Sequence, residues 1–391
     1  MDLSQRITSL TTGQTHGWEV HMRAAQMAAA GTDVTFLTVG EHDLPPSDGT
    51  LEALAEAARA GHTRYTPISG QAELRDLVAK RIMDQSGVPT APENVLIVPG
   101  AQAGLFVGHM ALADAGDTGL IIDPYYATYP GTLRAAGLRP KPVAARPENG
   151  FVPDRATLDA AADGARTLLI NSPNNPTGAV YGAQVLDGIA EVVRDHNLWL
   201  ISGEVYASQV WQGQHLSPRA LPALRERTLV VGSVSKSHAM TGFRAGWVVG
   251  PDHAIDAMSD LMINVTYGIS GFVQQAALYA LNAGAALERQ FSEPLRTRRD
   301  LAETLLAEQD TLRAVPAAGA MYVMLDVRAT GLSGVGFAEA LLEAERIAVM
   351  PGESFGSAAA GHIRIALSES DDRFAAALRR IIAFAERQAP R

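Results

Sequence analysis

Short apolar runs alternate along this chain with helical stretches rich in Ala, Leu and Arg, and this alternation constrains the fold more than any other feature. The runs lie near 95–98, 119–122, 167–170, 198–202, 228–232 and 245–249 and consist mainly of aliphatic and β-branched residues. Such runs, separated by helices, are typical of a mostly parallel sheet that is buried on both faces. The sequence therefore predicts an α/β fold with a mostly parallel central sheet and helices on both faces.

The length of the chain predicts more than one domain. Its 391 residues exceed the roughly 250 to 300 residues that usually share one hydrophobic core. From about residue 272 the pattern changes to a long helical stretch, up to Leu312, followed by strands near 321–326 and 362–367. We expect a large domain at 46–271, a smaller α/β domain at 272–391, and an N-terminal segment, 1–45, that packs with the small domain.

Composition excludes several classes of protein. A net charge of -10 argues against nucleic acid as a partner, and no apolar run approaches the roughly 18 residues of a membrane span. The absence of cysteine excludes disulfides and thiolate metal sites. The N-terminus lacks the apolar core of a signal peptide, so the sequence predicts a cytoplasmic location.

Lys236 is the strongest candidate for a reactive side chain, and it is one of only three lysines. It lies in the segment Gly232–Ser237 directly after an apolar run, eight residues before Arg244. At the end of a strand, Ser233, Ser235 and Arg244 can converge on one phosphate group. A lysine that forms a Schiff base beside such a group suits pyridoxal 5'-phosphate (PLP). The alternative is a surface lysine in a serine-rich loop.

A second motif favours the reactive lysine. The apolar run before Asn171 leads into a turn made rigid by Pro173 and Pro176, and this turn ends in Asn175-Pro-Thr-Gly178. The combination of this motif with Ser-x-x-Lys about sixty residues later resembles the class I/II aminotransferases of PLP fold type I. The resemblance spans nearly the whole chain. It implies a homodimer in which the active site is shared across the interface.

The resemblance also implies a role for each matching residue. Lys236 and Tyr206 are the catalytic residues, and Gly40, Asn175 and Arg364 bind the substrate. Tyr126 stacks on the cofactor ring, Asn175 and Tyr206 contact its hydroxyl, and Tyr65 reaches the cofactor phosphate of the neighbouring subunit. The remaining cofactor-binding residues are Gly100, Ala101, Gln102, Ser233, Ser235 and Arg244.

The function implied by the resemblance is transfer of an amino group from an L-amino acid to a 2-oxo acid, commonly 2-oxoglutarate. Lys236 would hold PLP as an internal aldimine and would then move the Cα proton. Trp18 near the N-terminus fits either a packing role or a pocket for an apolar substrate side chain. We favour packing for Trp18 and for Tyr129, and we expect the segments 319–322 and 351–356 to be structural.

One position departs from the family pattern. Gly203 stands where the family has an aspartate that pairs with the protonated pyridine nitrogen, and the alternation of a strand directs Glu204 to the opposite face. Either water or a displaced Glu204 replaces the carboxylate, or the chemistry depends less on ring protonation, or the chain is a variant with impaired activity. Two other functions therefore stay open, namely a PLP-dependent C–S lyase or other β-eliminating enzyme and a weakly active PLP-binding regulatory protein.

Overall fold

The computed structural model describes residues 1–11 and 18–390, which form two β-sheets surrounded by helices. The strands are β1 Thr35–Leu37, β2 Val95–Val98, β3 Thr118–Asp123, β4 Arg139–Ala144, β5 Ala165–Asn171, β6 Trp199–Gly203, β7 Thr228–Ser233, β8 Gly246–Val249, β9 Arg313–Ala314, β10 Tyr322–Asp326, β11 Ile347–Pro351 and β12 His362–Ala366. The α-helices are α1 Gln5–Thr8, α2 Trp18–Ala29, α3 Asp48–Arg59, α4 Ala72–Ser86, α5 Ala101–Leu112, α6 Tyr129–Ala135, α7 Arg155–Ala162, α8 Ala183–Asp195, α9 Val234–Ser237, α10 Asp252–Val265, α11 Gly271–Asn282, α12 Gly284–Leu306, α13 Gly334–Glu345 and α14 Asp371–Gln388.

The larger sheet has the order β2-β8-β7-β6-β5-β3-β4. Its strands are parallel except β8, which runs antiparallel to both of its neighbours. The predicted mostly parallel sheet is therefore confirmed. The sequence pattern missed β4, because Pro140 and Pro142 interrupt its apolar character and prolines are tolerated only in an edge strand such as this one.

Helices cover both faces of the larger sheet, as predicted. On one face, α5, α6 and α10 pack on side chains such as Val231 and Ile201. On the other face, α4 and α11 pack around Val230, whereas α7 and α8 pack around Leu200. Neighbouring residues of one strand thus belong to different cores, which is why these strands are apolar throughout.

The smaller sheet has the order β1-β11-β12-β10-β9 and joins distant parts of the chain. The N-terminal strand β1 pairs in parallel with β11, with Phe36 opposite Ala348. The strands near 321–326 and 362–367 were predicted, but the fully buried β11 was missed. The helix α12 ends at Leu306 rather than near Leu312. The division into domains at residues 45 and 271 stays a prediction.

The strand directions determine where functional side chains gather. The carboxyl ends of β2, β3, β5, β6 and β7 all lie at one edge of the larger sheet. In open α/β sheets this edge is where ligands bind. None of the helices in the described ranges is both long and apolar enough to cross a membrane.

Candidate active site

A cavity of about 390 Å³ lies at this edge of the larger sheet and is closed on its other side by residues of the smaller sheet. The wall from the smaller sheet includes Tyr322, Met350 and Arg364. The predicted site residues that line the cavity are Gly40, Ala101, Gln102, Tyr126, Asn175, Tyr206, Ser233, Ser235, Lys236, Arg244 and Arg364. The structure therefore gathers residues that are more than 300 positions apart in the sequence.

Lys236 lies on the short helix α9, which begins immediately after β7. Its Nζ donates a hydrogen bond to the carbonyl oxygen of Gly40 at 2.5 Å. Its own carbonyl oxygen accepts a hydrogen bond from Gln209 Nε2 at 2.9 Å and lies 2.7 Å from His42 Nε2. Burial lowers the pKa of His42, which favours a neutral imidazole that donates to this carbonyl without adding a second cation. The backbone of Lys236 is thus fixed while its amine faces the cavity.

Several hydrogen-bond donors converge at one end of the cavity. Helix α5 begins at Ala101, and the N–H groups of Ala101 and Gln102 have no acceptor within the helix, so they carry partial positive charge. The Oγ atoms of Ser233 and Ser235 lie 2.8 Å apart, and Ser233 Oγ accepts a hydrogen bond from the Ser235 amide at 2.9 Å. The Arg244 guanidinium completes this group of donors, which is suited to a phosphate.

Gly100 permits the approach of Arg244 to this end of the cavity. Its φ is +78°, and a Cβ built there would lie 2.4 Å from a terminal nitrogen of Arg244. Arg244 itself has a φ of +55° and donates from Nη1 to the Thr241 carbonyl oxygen at 2.8 Å. A side chain at residue 100 would displace the guanidinium. Gly100 is therefore a support for Arg244, in addition to the amide role that the resemblance implies.

A chain of polar side chains lies along another side of the cavity. Asn175 Nδ2 donates to the Tyr206 hydroxyl at 3.4 Å, and this hydroxyl lies 3.0 Å from the Tyr322 hydroxyl. Burial raises the pKa of Tyr206 well above its usual value, so the phenol remains protonated. These groups are arranged to bind the hydroxyl of a ring that lies between them and the phosphate donors.

Arg364 is a buried cation that forms no ion pair with any residue of the ranges 1–11 and 18–390. Its guanidinium donates to Asn175 Oδ1 at 2.8 Å and to the Thr38 carbonyl oxygen, and it stacks on the rings of Tyr322 and Phe355, 4.2 and 4.6 Å from their centroids. Among the described residues no carboxylate forms an ion pair with it. Burial lowers the pKa of Arg364, and its Nε atom is buried without a partner. A buried unpaired charge is costly, so this position favours an anionic ligand.

Some residues that line the cavity were not predicted to be functional. Tyr322 and Phe355 belong to the segments expected to be structural, yet both form the stacking surface for Arg364. Trp18 and Tyr129, for which packing was favoured, also line the cavity. The available signal was an aromatic residue beside small residues, as in Gly319–Tyr322, and that signal is too common to identify a site.

Gly203 lies in the cavity wall at the end of β6. A Cβ built on it would make ordinary contacts, with Asn171 Nδ2 and the Tyr129 hydroxyl each 3.4 Å away. Glu204 points elsewhere, since its carboxylate accepts hydrogen bonds from Ser202 and Ser217 and lies 2.9 Å from His215 Nε2. Glu204 in this conformation does not replace the missing carboxylate.

Tyr65 is not brought into the cavity of its own chain. Its side chain is 85% exposed, and its ring contacts Tyr267 edge-on at a centroid distance of 4.8 Å. A role in a neighbouring subunit stays a prediction for this residue. Gln102 lines the cavity, but its amide is held by Thr128 and Thr132 on the side of α6.

Comparison with known proteins identifies a family match over residues 32–381, to aminotransferase class I and II. An arginine–pyruvate transaminase of Pseudomonas aeruginosa is 37% identical over 97% of this chain and 96% of its own length. The aspartate/prephenate aminotransferase of Thermus thermophilus is 36% identical over 97% of both chains.

Two solved structures have closely similar folds. A double mutant of Thermus thermophilus aspartate aminotransferase superposes with a TM-score of 0.92 and is 35% identical, with 99% of both chains covered. The aspartate aminotransferase of Rhizobium meliloti superposes with a TM-score of 0.93 at 30% identity, again with 99% of both chains covered.

Proposed function

Because the chain belongs to the class I and II aminotransferases, we propose that it transfers the amino group of an L-amino acid to a 2-oxo acid with Lys236 as the residue that bonds PLP. Aminotransferase activity, dependence on PLP and PLP fold type I follow from the family itself. The observation that carries the proposal is the presence of the Lys236 amine and the unpaired Arg364 guanidinium in one cavity.

The cavity fits PLP in its chemistry. The phosphate would be held by Ser233, Ser235, Arg244 and the first-turn amides of α5, and the ring hydroxyl by Asn175 and Tyr206. Tyr126 would stack on the ring from the cavity wall. When bound, PLP withdraws electrons from the amino acid Cα and so makes its proton easier to remove.

The residues of the chain supply binding and proton transfer. Arg364 holds the substrate carboxylate through its planar pair of donors, which fixes the direction of the Cα–H bond. Lys236 Nζ would act as the base that removes that proton. Tyr322 fixes the positions of the Arg364 and Tyr206 side chains relative to each other, because it contacts both.

The lining of the cavity supports a donor amino acid with an uncharged side chain. In the described part of the chain, the only ionised residues in the lining are Lys236, Arg244 and Arg364, all of which have the roles given above, and no Asp or Glu lines it. Trp18 and Met350 add apolar surface. The names of the relatives provide the competing donors, arginine and aspartate, and pyruvate as an acceptor beside 2-oxoglutarate.

We also propose a homodimer in which the exposed Tyr65 reaches the cofactor phosphate of the second subunit. Its 85% exposure in the single chain supports this role, because the side chain is accessible to a second subunit. Sedimentation equilibrium tests the dimer. A Tyr65→Phe variant that binds PLP about as tightly as the unmodified protein would remove this role from Tyr65. A cytoplasmic location stays a prediction.

The test of the proposed function is an absorbance spectrum of the PLP-loaded protein during additions of substrate. We expect a visible cofactor band that is lost with a donor amino acid and returns with a 2-oxo acid. Phenylalanine, leucine, arginine and aspartate are tested as donors, and pyruvate and 2-oxoglutarate as acceptors. Lys236→Ala should abolish the covalent band, whereas the control Lys80→Ala, an exposed lysine paired with Asp84, should retain it.

The same experiment distinguishes the alternative functions. β-Elimination is one of these alternatives, and it needs no 2-oxo acid acceptor. Release of ammonia from a donor with a β-leaving group, without added 2-oxo acid, would identify a lyase. A stable band that no donor changes would indicate a regulatory PLP-binding protein.

A further inference from the structure

The order of the strands places Gly203 in the floor of the cavity, between the two groups of cofactor-binding residues. Strand β6, which ends at Gly203, lies between β7 and β5. The residues suited to phosphate follow β7, and Asn175, suited to the ring hydroxyl, follows β5. The Lys236 amine also faces the cavity, where it donates a hydrogen bond to the carbonyl oxygen of Gly40 in the N-terminal segment.

The chemistry of PLP determines which of its atoms faces this floor. The ring nitrogen is para to the carbon that bonds the lysine, with the hydroxyl and the phosphate arm on the two sides. A ring bound to Lys236 with these two neighbours therefore directs its nitrogen away from Nζ, toward the end of β6. PLP enzymes usually provide a charged partner for this nitrogen.

No such charged group faces the floor among the described residues. The lining contains no Asp or Glu, and the Glu204 carboxylate is bound by Ser202 and Ser217 on the other side of β6. Asn171 lies beside Gly203, but its Nδ2 donates to the Gly203 carbonyl oxygen at 2.9 Å and its Oδ1 accepts from the Asn175 amide at 2.9 Å. The Asn171 oxygen and one of the two N–H donors of its amide are thus already engaged.

A second donor beside Gly203 is the Tyr129 hydroxyl. It lies 3.4 Å from the position of a Cβ on Gly203, and among the described residues it has no hydrogen-bond partner. The Tyr129 side chain is 94% buried, and its ring packs edge-on against Tyr126, which would stack on the cofactor. A tyrosine hydroxyl that lines a ligand cavity and has no hydrogen-bond partner among the described residues is available to donate to the ligand.

We infer that Tyr129 donates a hydrogen bond to the ring nitrogen of PLP, and that this nitrogen stays unprotonated in this enzyme. The inference rests on the proposed function. Burial raises the pKa of Tyr129, so the phenol is a neutral donor and does not supply the negative charge that a protonated ring nitrogen needs. Tyr129 is a binding residue for the ring, where the family has a carboxylate at position 203.

The consequence is a weaker electron sink and slower amino transfer than in a relative with the carboxylate. Gly203→Asp should reverse this, because the new Cβ makes only ordinary contacts and the carboxylate lies beside Tyr129 and Asn171. We expect the ring nitrogen to be protonated in the variant. We expect kcat to increase by at least about tenfold, which corresponds to a rise of one unit in the pKa of the ring nitrogen.

The experiment is 15N NMR of the holoenzyme loaded with PLP labelled at the ring nitrogen. We expect the unmodified protein to give the chemical shift of an unprotonated nitrogen at neutral pH, and Gly203→Asp to give that of a protonated one. Tyr129→Phe should move the signal toward that of a nitrogen without a hydrogen bond and should weaken PLP binding about fivefold. The control Tyr125→Phe changes a tyrosine of the segment that precedes α6 and that does not line the cavity, and should alter neither measurement.

Two results overturn the inference. The first is a protonated nitrogen in the unmodified holoenzyme. The second is a Tyr129→Phe variant whose 15N signal and PLP affinity equal those of the unmodified protein. Either result leaves the proposed function intact, whereas failure of Lys236 to bind PLP covalently would overturn both.

Discussion

The most direct prediction about the site concerns Arg364, the buried guanidinium that forms no ion pair among the described residues. Replacing it by glutamine removes two charge-assisted hydrogen bonds to the substrate carboxylate, each with a contribution of about 1.5–3 kcal/mol. The sum of about 3–6 kcal/mol corresponds to a loss in kcat/KM of about 10²- to 10⁴-fold. Arg364→Lys keeps the charge but loses the planar fork, so its loss should be intermediate.

The assay measures kcat/KM for the donor amino acid alongside PLP affinity and the free energy of unfolding. PLP affinity should change less than kcat/KM in the Arg364 variants, because Arg364 is not one of the phosphate donors and affects the cofactor residues through its hydrogen bond to Asn175. Arg219→Gln is the matched control, since Arg219 is also buried, forms no ion pair among the described residues and lies outside the cavity. A loss in kcat/KM for Arg364→Gln no larger than that for Arg219→Gln would refute the assignment.

Three further predictions follow from close contacts and burial. Gly40→Ala places a Cβ 1.8 Å from the Tyr322 hydroxyl, so we expect a loss of about 1–3 kcal/mol in urea unfolding and a raised KM for the donor; unchanged values of both contradict it. Gly100→Ala, at φ +78° and 2.4 Å from Arg244, should weaken PLP binding about tenfold in a spectral titration, and a smaller effect than for an exposed Gly→Ala change argues against it. Burial lowers the pKa of His109 to about 4, so the unfolded state takes up this proton at a higher pH than the folded state does, and about 3 kcal/mol of stability present above pH ~6.5 is lost as the pH falls toward 4. His109→Leu should reduce the dependence of the free energy of unfolding on pH, measured by urea unfolding, and an unaltered dependence would be inconsistent with the prediction.

The parts of the fold that were predictable are those in which local pattern and burial agree. Strands β2, β5 and β7 are buried on both faces, so their apolar character is visible in the sequence alone. Edge strands carry less of this signal, which explains why β4 was missed, whereas the buried β11 begins directly at the end of α13 without a turn motif to separate it.

The site was predictable to the extent that its residues lie in compact motifs at strand ends. Lys236 and Asn175 have that property, and the parallel sheet brings their strand ends to one edge. Tyr322 lies in the smaller sheet, and its contacts with Arg364 and Tyr206 depend on the position of that sheet over the larger one. No spacing along the chain encodes such a contact.

Gly203 is the instructive case, because the sequence reveals what is missing and only the structure reveals what is present instead. The absent carboxylate is a single-position observation, whereas the candidate replacement, Tyr129, begins helix α6, which follows β3 and lies more than seventy residues before Gly203 in the sequence. A tyrosine at the start of a helix, followed by Pro130, has the pattern of a packing residue. What distinguishes it is that its ring is buried while its hydroxyl lies 3.4 Å from the position that a side chain at residue 203 would take. Because residue 203 has no side chain, the Tyr129 hydroxyl on α6 can reach the ligand in our proposal. The protonation state of the ring nitrogen measures this replacement of a carboxylate by a hydroxyl.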